Sequence, residues 1–553
     1  MLFLALTLFL GRVIASPIPN DAVPVVDLGY ELHAATVSEG ASTVYRFSNI
    51  RYAAPPLSAL RFKAPTSPLV NHTTVNYGQE NVICPQASPA WLITAVDFIS
   101  GVDFTNVPTT NYSNANPPAI TPGTSEDCLF LDVAVPQAVW ESRLAKKRNE
   151  GVPVIVWIHG GGFVEGDKTL DGSGAGLILQ SEKYGKKGII YVAINYRLGL
   201  YGWLSGPTFE KKGTANAGLL DQRFALDWVQ KNIHLFGGDP ARVTVMGESA
   251  GGGSILHHIT AFGGQKGKTP FQRAIPQSPF ILPPPGKQAQ ESLFAATLAA
   301  ANVTSFDALQ SLSEDQLEET NYLLVARSAY GLFRFGPVVD GTYVPASPVT
   351  LLNTKQYDSS IQILDGHNSN EGILFTSPFI TTSSAYNLFL KDLLPNASED
   401  TITYISTTLY PPPTTDGTQG YNSQTGRVSS TYADLAIKCN AQYLHTAFPN
   451  QLYSYLFAIA PGWHSNDLHY TFYDTPSTNP DFNVTVAETL QRYIVSFAKG
   501  GNPNAVDVPD WPLWSEGGGV QRLGREDIGA VDDDVWAMRC AGWLEVLGGY
   551  SST

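Results

Sequence analysis

Sulfur is scarce in this chain: 553 residues contain four cysteines and three methionines. The cysteines, Cys84, Cys128, Cys439 and Cys540, stand far apart and no C-x-x-C occurs. That spacing argues against a zinc ribbon and a thioredoxin-type redox motif, and neither a metal site nor a cofactor is expected. Positive charge is the second shortage. Lysine and arginine total 34 against 49 aspartate and glutamate, a formal net charge of −15. Binding to nucleic acid or to anionic membranes draws on basic patches, and no long run of like charge supplies one. After the first ten residues no apolar stretch is long enough to span a bilayer, so no stable membrane anchor is expected. No internal repeat or low-complexity linker divides the chain.

What the sequence does hold begins at its N-terminus. Met1 to Leu10 is almost wholly apolar, and Val13-Ile14-Ala15 supplies small residues for cleavage before Ser16,. Residues 1–15 are therefore expected to be a signal peptide and the protein to be secreted into the extracellular space. Five N-x-S/T triplets, at Asn71, Asn111, Asn302, Asn396 and Asn483, fit glycosylation in that compartment,. In an exported chain an even number of cysteines favours two disulfides, with three connectivities open. Hydrophobic residues make up 43% of the chain, enough for an extended core,.

The most informative stretch is Gly247-Glu248-Ser249-Ala250-Gly251. It comes after a strand-like run, Val243-Thr244-Val245-Met246, and precedes small residues that can open a helix. A G-x-S-x-G at a strand-to-helix turn is a nucleophile elbow, which lifts the serine hydroxyl above the sheet. Upstream, the strand Pro153 to Ile158 runs into His159-Gly160-Gly161-Gly162-Phe163. Glycines after a strand leave backbone N–H groups pointing into a cleft. With the N–H of Ala250 they are expected to form an oxyanion hole. A phosphate-cradling loop is the rival reading, and no Gly-Lys-Ser/Thr comes after it in support.

Chain order selects the partners of the serine. In α/β-hydrolases a carboxylate and then a histidine come after the nucleophile. His33, His72, His159 and His234 precede Ser249, and His257 and His258 ride the elbow helix away from it. Leu452 to Ile459 reads as a strand, and Pro461-Gly462-Trp463-His464 leaves its end, where active sites of open α/β sheets lie. His464 is the expected base; His469 falls in the next helical turn. Ser360 to Leu364 reads as a further strand whose exit offers two carboxylates, Asp365 and Glu371, with position favouring Glu371.

These segments together resemble the type-B carboxylesterase/lipase family of fungal lipases, animal carboxylesterases and cholinesterases. The likeness starts at Phe47-Ser48-Asn49-Ile50-Arg51-Tyr52-Ala53 and includes Ser125-Glu126-Asp127-Cys128-Leu129. It passes through Asn195-Tyr196-Arg197-Leu198-Gly199, Phe236-Gly237-Gly238-Asp239-Pro240 and the elbow, and reaches Gly501-Asn502-Pro503-Asn504 and Trp511-Pro512. The resemblance implies an α/β-hydrolase fold, with residues 16–553 as a single domain built on a large, mostly parallel sheet. It implies a Ser249-Glu371-His464 triad, since the family's acid precedes a glycine as Glu371 does. It further implies oxyanion donors at Gly161, Gly162 and Ala250, disulfides Cys84–Cys128 and Cys439–Cys540, and Glu248, beside the nucleophile, as a charge near the cationic intermediate.

The function this implies is hydrolysis of carboxylic esters through an acyl-enzyme, on small-molecule or lipid esters. The loop between Cys84 and Cys128 carries Trp91, Leu92, Ile93, Val96, Phe98, Ile99, Val102 and Phe104. Its counterpart in the family's lipases is a lid, which would bring transient contact with a lipid interface. Trp91 lies near the first cysteine rather than the second, which disfavours cholinesterase activity. The competing class is a non-catalytic adhesion module of the same family. Such modules lack the serine or histidine that this chain retains.

Overall fold

The computed structural model describes residues 23–38, 43–78, 81–104, 121–145, 150–183, 188–475, 481–516, 519–533 and 537–549. The expected signal peptide, residues 1–15, and the Asn111 sequon lie outside the described residues. In chain order the strands begin with β1 (Val25–Asp27), β2 (Glu31–Ala34), β3 (Thr36–Ser38), β4 (Val44–Arg51) and β5 (Asn71–Asn76). Next come β6 (Phe130–Pro136), β7 (Val152–Ile158), β8 (Ile190–Ile194), β9 (Gly238–Glu248) and β10 (Arg273–Gln277). The last are β11 (Gln362–Asn368), β12 (Leu452–Phe457), β13 (Gly519–Leu523) and β14 (Ile528–Asp532). β1, β2 and β5 make a small sheet, and the other eleven form one large sheet in the order β14-β13-β12-β11-β10-β9-β7-β8-β6-β4-β3. From β8 across to β13 every neighbour is parallel, with antiparallel strands at both edges.

Residue type explains why this sheet is covered on both sides. β7, Val-Pro-Val-Ile-Val-Trp-Ile, is buried throughout, as suits a β-branched run sandwiched between helices. Val154, Val156 and Ile158 enter one core and Ile155 and Trp157 the other, because successive side chains point to opposite faces. β9, β10 and β11 repeat the division with Val245 and Met246, Ala274 and Ile275, and Ile363 and Leu364. Helices Ala217–Asn232 and Ala250–Ile259 cover the first face, and Ala175–Lys183 and Val484–Gly500 the second. Since β7, β9, β11 and β12 run parallel, the loops leaving their C-terminal ends all emerge at one edge of the sheet.

Strand boundaries differ from the sequence reading by a few residues: β12 ends at Phe457 rather than Ile459, and the end of β11 bears on the site. β11 does not end at Leu364 but continues to Asn368, paired with β12 as far as Asn368 opposite Phe457. Neighbours on both sides override the weak strand preference of Asp, Gly and Asn. Asp365 therefore lies inside the strand instead of at its exit.

All four cysteines are paired, Cys84 with Cys128 and Cys439 with Cys540. The first bond closes a separation of 44 residues, a constraint on the unfolded chain that stabilises by about 4 kcal/mol in the loop-entropy view. Inside that loop the apolar run forms a helix, Trp91–Ile99. Trp91 and Ala95 are buried, and the Trp91 indole donates to the Leu332 carbonyl at 3.0 Å. Ile93 and Val96 turn outward, 67% and 53% exposed.

Leu364 has no solvent exposure. Leu364→Ala is expected to lower the unfolding free energy by about 2–5 kcal/mol, seen as an earlier urea midpoint with an unchanged slope.

Candidate active site

β9 delivers Glu248, and Ser249 comes next with φ 54° and ψ −119°. An L-residue holds such a conformation only when its surroundings over-determine it. Here the Ser249 N–H donates to the Gln277 carbonyl at 3.1 Å, and the Ser249 carbonyl accepts from the Phe280 N–H at 3.0 Å. The helix Ala250–Ile259 starts at once. A Cβ on Gly251 would sit 2.1 Å from the Ile158 carbonyl oxygen at the end of β7, so glycine alone lets the helix approach that strand.

The glycine loop leaves β7 directly beside the elbow. Gly162 has φ 59°, and a Cβ there would overlap the Phe333 ring at 2.1 Å. The N–H groups of Gly161, Gly162 and Ala250 make no hydrogen bond among the described residues. That of Ala250 is orphaned by its place at the start of a helix. His159 stacks on Tyr196 at 4.4 Å, and burial lowers its pKa to about 4, leaving it neutral.

Glu371 and His464 meet in the same place. Glu371 is fully buried. Its Oε1 accepts from the Ser278 hydroxyl at 2.7 Å and from the Asn368 N–H at 2.5 Å, and its Oε2 lies 2.5 Å from His464 Nδ1. His464 Nε2 makes no hydrogen bond and lies 3.3 Å from Glu248 Oε1, on the residue just before Ser249. The rival carboxylate is elsewhere: Asp365 Oδ1 is 3.3 Å from His445 Nε2, in a separate buried pair. His258 bonds to Tyr343 and Gln222, and His469 is exposed. The other sequence-selected asparagines are scattered. Asn71, Asn302 and Asn396 are exposed, whereas Asn483 caps its helix and donates from Nδ2 to the Arg525 carbonyl at 2.8 Å.

The two carboxylates flanking His464 are not equivalent. Burial alone would raise Glu371, yet the imidazolium, the Ser278 hydroxyl and the Asn368 N–H hold it below the usual range. Glu248 is pushed up to about 8 by burial, against the pull of His464. Burial also opposes charge on His464, but Glu248 and Glu371 outweigh it and push the imidazole up to about 9. Such opposed environments for two acids are common at reactive centres.

Sequence reasoning missed the groups that hold Glu371 in place. Ser278 and Asn368 bind it, and Asn368 Nδ2 also donates to Asp467 Oδ1 at 3.0 Å. Asp467 in turn accepts from Tyr455 at 2.5 Å and from Gln277 at 3.1 Å. Ser465 donates to Glu248 at 2.6 Å. Their common signal is position, since Ser278 and Asn368 sit at or one residue past the ends of adjacent parallel strands.

An aromatic wall bounds the site. The Phe375 ring lies 5.2 Å from the His464 ring and stacks on Tyr432 at 4.6 Å, with Phe280, Phe333 and Trp91 beside it. Beyond this wall a cavity of about 720 Å³ opens, lined in part by Phe163, Trp203, Phe280, Leu332 and Phe333. Among the described residues no cluster of His, Cys, Asp or Glu could hold a metal ion, and no helix is long and apolar enough to cross a membrane.

The structure of Aspergillus niger EstA shares this fold with a TM-score of 0.79 and 26% identity, covering 96% of this chain and 100% of that one. The chain is 40% identical to Carboxylesterase patB of Aspergillus clavatus, across 96% of this chain and 97% of its relative. It is 30% identical to the secreted triacylglycerol lipase LIP1 of Gibberella zeae, across 87% and 83%. The protein is thus a hydrolase of carboxylic esters with an α/β-hydrolase fold. It belongs to the carboxylesterase family, whose model matches residues 33–543.

Glu248→Gln takes one of two anions from beside His464, so its imidazole should titrate at lower pH than in the unaltered protein. Titration of the His464 ring signals by NMR checks the direction; no change or a rise would show that Glu248 carries no charge there.

Proposed function

We propose that Ser249 is the nucleophile, His464 the general base and Glu371 the acid that orients it. The observation carrying this reading is the 2.5 Å contact of His464 Nδ1 with buried Glu371, while Nε2 stands beside the elbow with no hydrogen bond. Ser249 Oγ attacks the ester carbonyl as Nε2 of His464, in its neutral form, takes the proton; with the imidazole pushed up to about 9, that form gains as pH rises toward that value,. The resulting oxyanion is received by the N–H groups of Gly161, Gly162 and Ala250. Collapse of the intermediate breaks the bond to the alcohol, which leaves with the proton from His464. Water then repeats the sequence on the acyl-enzyme, freeing the acid and Ser249.

The substrates in this reading are hydrophobic esters, supported by the aromatic wall and the cavity behind it. Residues 1–15 act as a signal peptide and 16–553 as one exported domain. Two disulfides without a free cysteine suit an oxidising compartment,, and Asn71, Asn111, Asn302, Asn396 and Asn483 are the glycosylation sites. The outward Ile93 and Val96 would touch a lipid interface transiently, since moving apolar surface out of water is worth about 25 cal/mol per Å².

Ser249→Ala should abolish both ester turnover and labelling by an organophosphate while the fold, read by circular dichroism, is kept. Substantial hydrolysis by this variant would sink the assignment. Glu371→Gln should lower kcat by several orders of magnitude, because the imidazolium loses its partner. Asp365→Asn should leave most of the activity, and the reverse ranking would transfer the acid role to Asp365.

A further inference from the structure

Among the described residues lining the large cavity, only Arg334 and Asp392 carry charge. Arg334 is unusual in the molecule. Of the arginines among the described residues, its guanidinium alone makes no hydrogen bond, ion pair or ring contact. The others are anchored, as Arg61 is by Glu126, Arg197 by Asp221 and Arg427 by the Tyr410 carbonyl. Asp392 is exposed, as Arg334 is, and the two form no ion pair. In a chain of net charge −15, an arginine without an acidic partner is a departure from the surrounding pattern.

Its position is fixed by its neighbours. Phe333 packs against Gly162 and Phe335 is buried. Just upstream, the Gly331 carbonyl accepts from the Tyr432 hydroxyl and the Leu332 carbonyl from the Trp91 indole. The segment thus presents Arg334, an exposed side chain, one residue from the ring that covers the glycine loop, on a cavity lined by aromatic, proline and polar side chains. A guanidinium offers a planar fork of donors matched to a carboxylate.

We propose that Arg334 binds a carboxylate on the substrate, so that this site favours esters bearing a free acid group over neutral esters of the same length. The inference rests on Ser249 being the nucleophile of this site, and the experiment separates the two claims.

Two matched pairs of substrates test it. One pair places the acid on the acyl side, mono-4-nitrophenyl glutarate against 4-nitrophenyl pentanoate. The other places it on the alcohol side, 4-acetoxybenzoate against 4-methylphenyl acetate. In at least one pair Arg334→Gln should lower kcat/KM for the acid-bearing ester about 10- to 100-fold, the range of a charged hydrogen bond. The neutral ester should stay within about twofold. Arg334→Glu should lower it further, and salt should raise KM for the acid-bearing ester in the unaltered enzyme, where the attraction is screened. Acid-to-neutral ratios that stay the same in both pairs on substitution would overturn the proposal. Hydrolysis of any of the four esters retained in Ser249→Ala would instead overturn the assignment of Ser249, whatever the ratios.

Discussion

A carboxylate without solvent has to be met on every side, and Glu371 is such a group. One oxygen takes the Ser278 hydroxyl and the Asn368 N–H, and the other takes His464. Those partners come from the ends of β10 and β11 and from the loop leaving β12, so these strands must stop in register. The pairing of Gln277 with Gly366 and of Asn368 with Phe457 supplies that register. A slip of one residue would leave the charge facing a carbonyl or a methyl group, at a cost of several kcal/mol. The local arrangement of the sheet edge thus depends on satisfying a single buried anion.

The same imidazole lies between two acids that behave differently. Glu371 is surrounded by donors and kept ionised, whereas Glu248 has little besides Ser465 and His464 against its desolvation. Glu248 and His464 each shift the other's hold on a proton, so the state of one depends on that of the other,. In the proposed chemistry the permanent anion sets the ring's orientation. The tunable one adjusts how readily the ring releases its proton.

Much of this was legible in the residues. Gly247 to Gly251 after a valine-rich run, and three glycines after another, place the elbow and the neighbouring loop, because tight turns demand small residues. Choosing between Asp365 and Glu371 from strand ends was harder. The end of β11 is set by pairing with β10 and β12, and local preference puts it four residues too early. The roles of Ser278, Asn368 and Asp467 were hidden, since their partners lie on other strands. The isolation of Arg334 was equally hidden, for a missing partner is a property of the folded chain.

The sheet's winding also orders events in time. Ser249 sits at the end of β9, whereas His464 comes after β12, and the strands between them, β10 and β11, are added one after another across the sheet. A chain emerging from the ribosome thus exposes its elbow serine long before the imidazole that would activate it has been made. Loop closure across so much sequence is slow compared with local helix formation. During that interval the hydroxyl is no more reactive than any other serine. Under the proposed assignment, a fragment released early would be chemically silent toward the esters of the cell that made it.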